Sequence, residues 1–351
     1  MTTTATQFSF QLEFVNDDNQ VIRTQILGTK DFSHAIRHTR FDAFAQGKTE
    51  TYLPHVDGAI VEPVFPSGIG PSPRASGFEV EVDLPGGAVH RCKFDIKYFA
   101  PAANCLRAEL LRAEEMTTEQ ELFYRLNAFF DDQTSQPTTN KLNIALDPPE
   151  PITALDGNRC HFGPTHEWDN PEPSDMRVLI DHGVLEEAVE EARATPEQEI
   201  AGFMLGRLYR DGLTSKVFVT ITGLASAGGT TEASETSVTY TPASFAHVRE
   251  MIKLRGRDET VVGWYHSHPF KLCAECPLPT PPECIAKVLF YSQDDIHLMS
   301  STFPEPFSLG LLVAVEPRIE QAVGHLPVKL YGWREGAIVE RGFEVVGSKA
   351  E

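Results

Sequence analysis

The sequence predicts a two-part protein. An α+β unit covers residues 1–130, a proline-rich connection covers 131–174, and an α/β domain covers 175–351. Three observations carry this reading. Near the N-terminus Phe8, Phe10, Leu12 and Phe14 alternate with polar residues, the period of a half-buried strand. Pro137, Pro148, Pro149, Pro151, Pro164, Pro171 and Pro173 then break up a stretch rich in Asn, Asp and Thr, as a linker does. From Met176 onward short apolar runs alternate with helical spacing.

In the first unit Asn16-Asp17-Asp18-Asn19 supplies a turn before a strand at Val21 to Leu27. A hairpin follows: Phe78, Val80, Val82 and Leu84 alternate, Pro85-Gly86-Gly87 turns the chain, and Val89 to Ile96 returns. Leu106 to Phe130 has helical spacing, with Thr118-Glu119-Gln120-Glu121 as a start for its second half. In the second part Val178 to Ile180 is a short strand. Val184, Leu185, Ala188, Val189 and Ala192 then form the apolar stripe of an amphipathic helix. Ile200 to Tyr209 and Lys216 to Leu224 read as strands around the turn Asp211-Gly212, and the Gly/Ser/Thr-rich stretch Ala225 to Ser237 as a mobile loop. Phe245, Val248, Met251 and Ile252 mark a second helix, with Pro242 in its first turn. Val261 to Tyr265 and Leu309 to Val315 are expected strands, and Lys329 to Trp333 and Ala337 to Val346 close the chain with β-like segments.

Composition narrows the function classes. With 50 acidic against 30 basic residues the formal net charge is −20, which disfavours counterion-release binding to nucleic acid. The start Met1-Thr2-Thr3-Thr4-Ala5-Thr6 has no apolar core of a signal peptide, and the apolar run near Leu309 is too short to span a bilayer. A cytoplasmic protein without membrane or nucleic-acid partners is the expectation. The 6 cysteines then read as reduced thiols or metal ligands. Cys92 and Cys105 are expected to be buried small apolar residues, and Cys160, His161 and His166 surface loop residues.

One segment carries chemistry. In Gly263-Trp264-Tyr265-His266-Ser267-His268-Pro269 the two histidines occupy alternate positions, so an extended strand places both imidazoles on one face. Ser292 precedes the apolar-periodic Ile296-His297-Leu298-Met299 and can N-cap that helix. Asp295 then falls in the first turn, where the helix dipole favours its carboxylate. His266, His268 and Asp295 can thus hold a catalytic zinc with one position left for water; Asp294 competes but reads as a solvated first-turn acid, and His297 as a helix residue. Glu199, in Glu199-Ile200-Ala201-Gly202-Phe203-Met204-Leu205-Gly206, is the candidate general base, and the Ser292 hydroxyl a donor to a developing oxyanion. His-Glu-x-x-His, the Gly-x-Ser-x-Gly elbow and a phosphate-binding glycine loop are all absent from the sequence.

Glu199-x-x-Gly202-x-x-x-Gly206, His266-x-His268-Pro269 and Ser292-x-x-Asp295, in that order, resemble the signature of the JAMM (MPN+, JAB) zinc metalloproteases. The likeness runs from about Met176 to the mid-320s. It implies a cytidine-deaminase-like α/β/α domain and zinc-dependent cleavage of the isopeptide bonds that attach ubiquitin or a ubiquitin-like protein. It implies Glu199 as acid/base, His266, His268 and Asp295 as zinc ligands, and Ser292 as support for the tetrahedral intermediate; inactive members of the fold lose these residues. A precursor-processing peptidase for a ubiquitin-like or sulfur-carrier protein, and a non-enzymatic MPN scaffold, are the alternatives. An N-terminal unit fused to such a domain is reminiscent of the deconjugating component of bacterial ubiquitin-like conjugation operons, some of which serve in antiviral defence. In that setting conjugation enzymes would be further partners, and residues 1–130 would recognise substrate or partner. One departure from the family pattern stands out: residues 270–291 form an insertion where the family has a shorter connection. Its Cys273-Ala274-Glu275-Cys276 and Cys284 are a candidate second, structural zinc site, with Cys160, His161, His166 or His297 as fourth ligand, against the alternative of reduced loop thiols.

Overall fold

The computed structural model describes residues 8–66, 74–130, 151–159, 165–168, 171–227, 231–233 and 238–347. Residues 131–150 of the expected connection, Cys160, His161 and the side chain of His166 lie outside the described residues. The chain forms two compact units. One comprises Met1–Ile152 with Glu335–Ala337, the other Thr153–Arg334 with Ile338–Glu351.

The first unit runs β1 (Phe8–Val15), β2 (Val21–Leu27), α1 (Ser33–Ala45), β3 (Thr51–Tyr52), β4 (Ala59–Val64), β5 (Arg74–Ala75), β6 (Gly77–Asp83), β7 (Val89–Asp95), α2 (Ala100–Arg112) and β8 (Phe123–Phe130). Its strands make two antiparallel sheets, β2-β1-β8-β5 and β4-β6-β7. Between them Phe10, Phe32, Phe78, Phe94 and Phe99 build an aromatic core, with Phe32 edge-on to Phe10, Phe78 and Phe99 at centroid distances of 5.1, 5.0 and 5.9 Å. The helix expected over 106–130 is corrected. α2 ends at Arg112, and Phe123–Phe130 is a strand paired along the whole of β1. Tyr124, Leu126 and Ala128 stand opposite Phe14, Leu12 and Phe10, so a period of two, not 3.6, buries the apolar residues of this segment. Cys105 is exposed and Cys92 half-buried, which corrects the expectation that both are buried.

After β9 (Ile152–Thr153), which spans the division, the second unit contains β10 (Leu155–Asp156), β11 (Thr165–Trp168), β12 (Val178–Asp181) and α3 (His182–Ala194). It continues with β13 (Ala201–Arg210), β14 (Val217–Ser226), β15 (Thr231–Ala233), β16 (Val238–Tyr240), α4 (Pro242–Arg255), β17 (Thr260–His268), α5 (Pro282–Ile285) and α6 (Gln293–Thr302). It closes with β18 (Leu309–Ala314), α7 (Pro317–Val323), β19 (Val328–Arg334), β20 (Ala337–Arg341) and β21 (Phe343–Val346). A mixed sheet in the order β11-β21-β12-β14-β13-β17-β18-β19-β20 is its frame.

Asp181 caps α3 by accepting from the Gly183 N–H at 2.8 Å. The stripe Val184, Leu185, Ala188, Val189 and Ala192 is buried as expected, each large member worth about 1.5–3 kcal/mol relative to exposure. Within the stretch read as a mobile loop, Thr231–Ala233 forms β15, which pairs antiparallel with β16 just beyond that stretch. Residues 228–230 and 234–237 of that loop lie outside the described residues. Among the described residues no helix is long and apolar enough to cross a membrane.

Candidate metal centre of the second unit

β17 is buried along its last seven residues, flanked by β13 on one side and β18 on the other. That position fixes its pleat, so Trp264, His266 and His268 share one face. α6 begins beside its C-terminal end. Ser292 is the N-cap of α6 and forms a reciprocal capping box: its Oγ accepts from the Asp295 N–H at 3.1 Å, and the Asp295 Oδ2 accepts from the Ser292 N–H at 2.7 Å. The carboxylate is thereby held rigid in the first helical turn.

The three side chains converge. The Nε2 atoms of His266 and His268 are 3.3 Å apart, His266 Nε2 lies 3.1 Å from Asp295 Oδ1, and His268 Nε2 lies 3.5 Å from Asp295 Oδ2. Donors at 2.0–2.1 Å around a tetrahedral zinc sit about 3.3 Å from one another, so this triangle has the dimensions of a zinc site. The Nδ1 atoms of both rings are buried without a hydrogen-bond partner among the described residues, so the ring nitrogens that do find company are those turned toward the shared point. Asp294 and His297 are exposed on α6 and stand outside the cluster.

Electrostatics follow the burial. Burial acts to raise the Asp295 carboxyl, but the two imidazoles and the Ser292 N–H outweigh it and hold Asp295 well below the usual carboxylate range. Burial lowers His266, against the pull of Asp295, and so favours the neutral ligand form. Glu199, just before β13 and 8% exposed, is pushed up to about 7 by burial, opposed by His268 and reinforced by Asp295 and Asp294. A carboxylate with that affinity can both take and return a proton near neutral pH.

Local sterics explain the two glycines after Glu199. A Cβ at Gly202 would meet Tyr265 Cε1 at 2.4 Å and the Ala225 carbonyl oxygen at 2.5 Å; at Gly206 it would meet the Thr220 carbonyl oxygen at 2.0 Å. Both glycines let β13 lie against its neighbours at the register that sets Ala201 opposite His266.

Four supporting roles escaped the sequence reading, those of Ser267, Trp264, Phe303 and Tyr265. Ser267 is fully buried and clamps Ile200, the residue after Glu199: its N–H donates to the Ile200 carbonyl at 3.0 Å, and its Oγ accepts the Ile200 N–H at 3.1 Å. Trp264 stacks on His266 at 4.3 Å with the rings 9° from parallel, and Phe303 backs Trp264. The alternation Trp264, His266, His268 was the available signal. Tyr265, pointing the other way, donates to Glu191 of α3 at 2.5 Å.

Apolar residues of the stretch 270–291 are packed down. Leu272, Val288 and Leu289 join Leu312, Ala314 and Ile319 in an apolar cluster flanked by Phe270, Cys276, Cys284 and Ile285. Glu316 accepts from the Leu272 N–H at 3.1 Å, and Arg318 donates to the carbonyls of Leu272 and Cys273 at 2.8 and 3.1 Å. Burial, with the Cys284 and Cys273 thiols alongside, pushes Cys276 up to about 11. The Cys276 thiol lies within reach of both Cys273 and Cys284.

Comparison with known proteins finds a family likeness within the second unit. Residues 173–275 match the family described as JAB1/Mov34/MPN/PAD-1 ubiquitin protease, a segment that holds Glu199, His266 and His268. The 26S proteasome non-ATPase regulatory subunit 14 of Caenorhabditis elegans is 32% identical over 118 residues, 34% of this chain and 36% of that protein. The ubiquitin carboxyl-terminal hydrolase RPN11 of Saccharomyces cerevisiae is 34% identical over 92 residues, 26% and 28% of the two chains. The match thus spans about a third of the length of these curated relatives. A solution structure of a Desulfitobacterium hafniense protein covers 47% of this chain and 89% of its own at 17% identity, with a TM-score of 0.32. The likeness of this chain to the JAB/MPN family is thus carried by residues 173–275 of its second unit.

Proposed function

We propose that the chain is a zinc-dependent isopeptidase that releases a ubiquitin-like protein from lysine conjugates or from a C-terminal extension. The observation that carries this is the convergence of His266, His268 and Asp295 at zinc-like spacing, with the Glu199 carboxyl, which feels the charges of His268 and Asp295, pushed up to about 7. The relatives named as a ubiquitin hydrolase and as proteasome subunits support ubiquitin-like conjugates as the substrate class.

His266, His268 and Asp295 would hold the ion. When bound, zinc would supply a water acidified toward pH 7 and a positive charge for the scissile carbonyl. Glu199 takes the water proton and returns it to the leaving lysine amine; burial gives it the affinity for both steps. Ser292 uses an Oγ lone pair on the Asp295 N–H, which leaves its O–H to donate to the oxyanion. Ser267 holds the backbone on which Glu199 rides. Cys273, Cys276 and Cys284 form, in this proposal, a second, structural zinc site in the insertion.

The test uses the zinc-loaded chain with lysine-linked diubiquitin and a Gly-Gly-lysine isopeptide reporter, next to linear fusions. The isopeptidase reading expects cleavage after the terminal glycine that is lost in Glu199→Gln. Equal rates for parent and variant would contradict it. Preference for linear fusions would instead favour a processing peptidase.

A further inference from the structure

We propose that the first unit carries its own transition-metal site, made by Asp42, His90 and Cys92. β7 presents His90, Cys92 and Phe94 at alternate positions on its inner face, and α1, packed on β6 and β7, brings Asp42 to them from its last turn. One ligand atom from each lies within 4.8 Å of the other two. Cys92 Sγ is 3.4 Å from Asp42 Oδ2 and 3.8 Å from His90 Nε2, and His90 Nε2 is 2.8 Å from Asp42 Oδ2. Around a tetrahedral zinc, with a metal–sulfur bond of 2.3 Å, sulfur to nitrogen or oxygen spans about 3.5 Å and nitrogen to oxygen about 3.3 Å. Two edges already fit. The third is short because a hydrogen bond spans it, and a few tenths of an ångström of outward movement by the half-exposed Asp42 restores it.

The donors select the ion. A thiolate with an imidazole and one carboxylate suits zinc or cobalt and not magnesium or calcium, which take oxygen. His90 is almost fully buried, whereas the Asp42 side chain is 32% exposed, so water can complete the coordination from that side. Lys48 is the group that must yield: its Nζ lies 2.8 Å from His90 Nδ1. It is exposed and can swing into solvent. On binding, the Cys92 thiol proton leaves to solvent, and the imidazole proton passes from Nε2 to Nδ1 as Lys48 departs; His90 stays neutral. Gln46 Nε2 donates to the Asp42 carboxylate at 2.8 Å and steadies it. Such an ion would fasten α1 to the β6–β7 hairpin, independently of any activity in the second unit.

Cobalt(II) titration of the full chain carrying Cys273→Ser and Cys276→Ser tests this, because cobalt bound to a thiolate has a near-ultraviolet charge-transfer band and cobalt at a His/His/Asp site has none. The expected result is a band in this chain that disappears when Cys92→Ser is added, with at least a tenfold weaker cobalt affinity in Asp42→Asn. A band that survives Cys92→Ser, or no band at saturating cobalt, overturns the proposal. Should Cys92→Ser unfold the unit, alkylation of the unmutated chain decides. Zinc, and not magnesium, should slow iodoacetamide modification of Cys92 at least tenfold as read by peptide mass spectrometry; equal rates overturn it.

Discussion

The two metal-type clusters of this chain are built alike and behave differently. Each takes two side chains at alternate positions of one strand and a carboxylate from a helix: His266 and His268 on β17 with Asp295, His90 and Cys92 on β7 with Asp42. Asp295 sits in the first turn of α6, where free N–H groups and the dipole favour the anion, whereas Asp42 sits in the last turn of α1, where they do not. In the first unit Lys48 and Asp42 take both ring nitrogens of His90, and Asp42 also serves Gln46 and Cys92. In the second unit both Nδ1 atoms lack partners and the Nε2 atoms face one another. The contrast teaches that ligand spacing alone is easily reached. The proposed catalytic centre adds ring nitrogens aimed at one shared point and a base such as Glu199.

That contrast can be broken at several points. The largest effect is expected from Glu199→Gln, which should lower kcat by roughly 10²–10⁴ while zinc content stays constant; unchanged turnover would remove the distinction between the clusters. Trp264→Ala should cost about 3–5 kcal/mol in urea unfolding, because it deletes a buried ring stacked on both His266 and Phe303. A loss under 1 kcal/mol would mean that His266 is not held by that stack.

Glu199 also makes stability depend on pH. Its carboxyl, pushed up to about 7 in the fold against about 4.3 in an unfolded chain, favours the neutral form, so stability is greatest below the unfolded value and declines as pH rises through 7. In metal-stripped protein Glu199→Gln should therefore gain on the order of 1–3 kcal/mol at pH 8 and little at pH 4. A variant no more stable than the parent at pH 8 would show that Glu199 carries no burial penalty. The smallest effect is expected from Ser267→Ala, which strips the Oγ acceptor from the Ile200 N–H: about 1–2 kcal/mol in unfolding, with a fall in kcat and an unchanged KM.

Much of the second unit was readable in the residues because its signals are local. His266 and His268 are two apart, Ser292 and Asp295 three apart, and the α3 stripe is periodic, so strand face, cap and helix each follow from short spacing. The first unit resisted the same reading. Phe123–Phe130 shows helical spacing, but its pairing with β1, more than a hundred residues away, decides the matter. The Asp42–His90–Cys92 cluster joins groups 48 and 50 positions apart, and His90-Arg91-Cys92 by itself looks like ordinary strand alternation. Ser267 was visible only as the residue between two ligands, since its role depends on Ile200, 67 residues earlier.

Zinc X-ray absorption of the full chain carrying Cys92→Ser, Cys273→Ser and Cys276→Ser, with one equivalent of zinc, asks the decisive question directly. The expected spectrum contains two imidazoles with otherwise oxygen donors at about 2.0–2.1 Å, and Asp295→Asn should abolish that binding. Sulfur around the ion, or tight zinc retained without Asp295, would contradict a centre built from His266, His268 and Asp295.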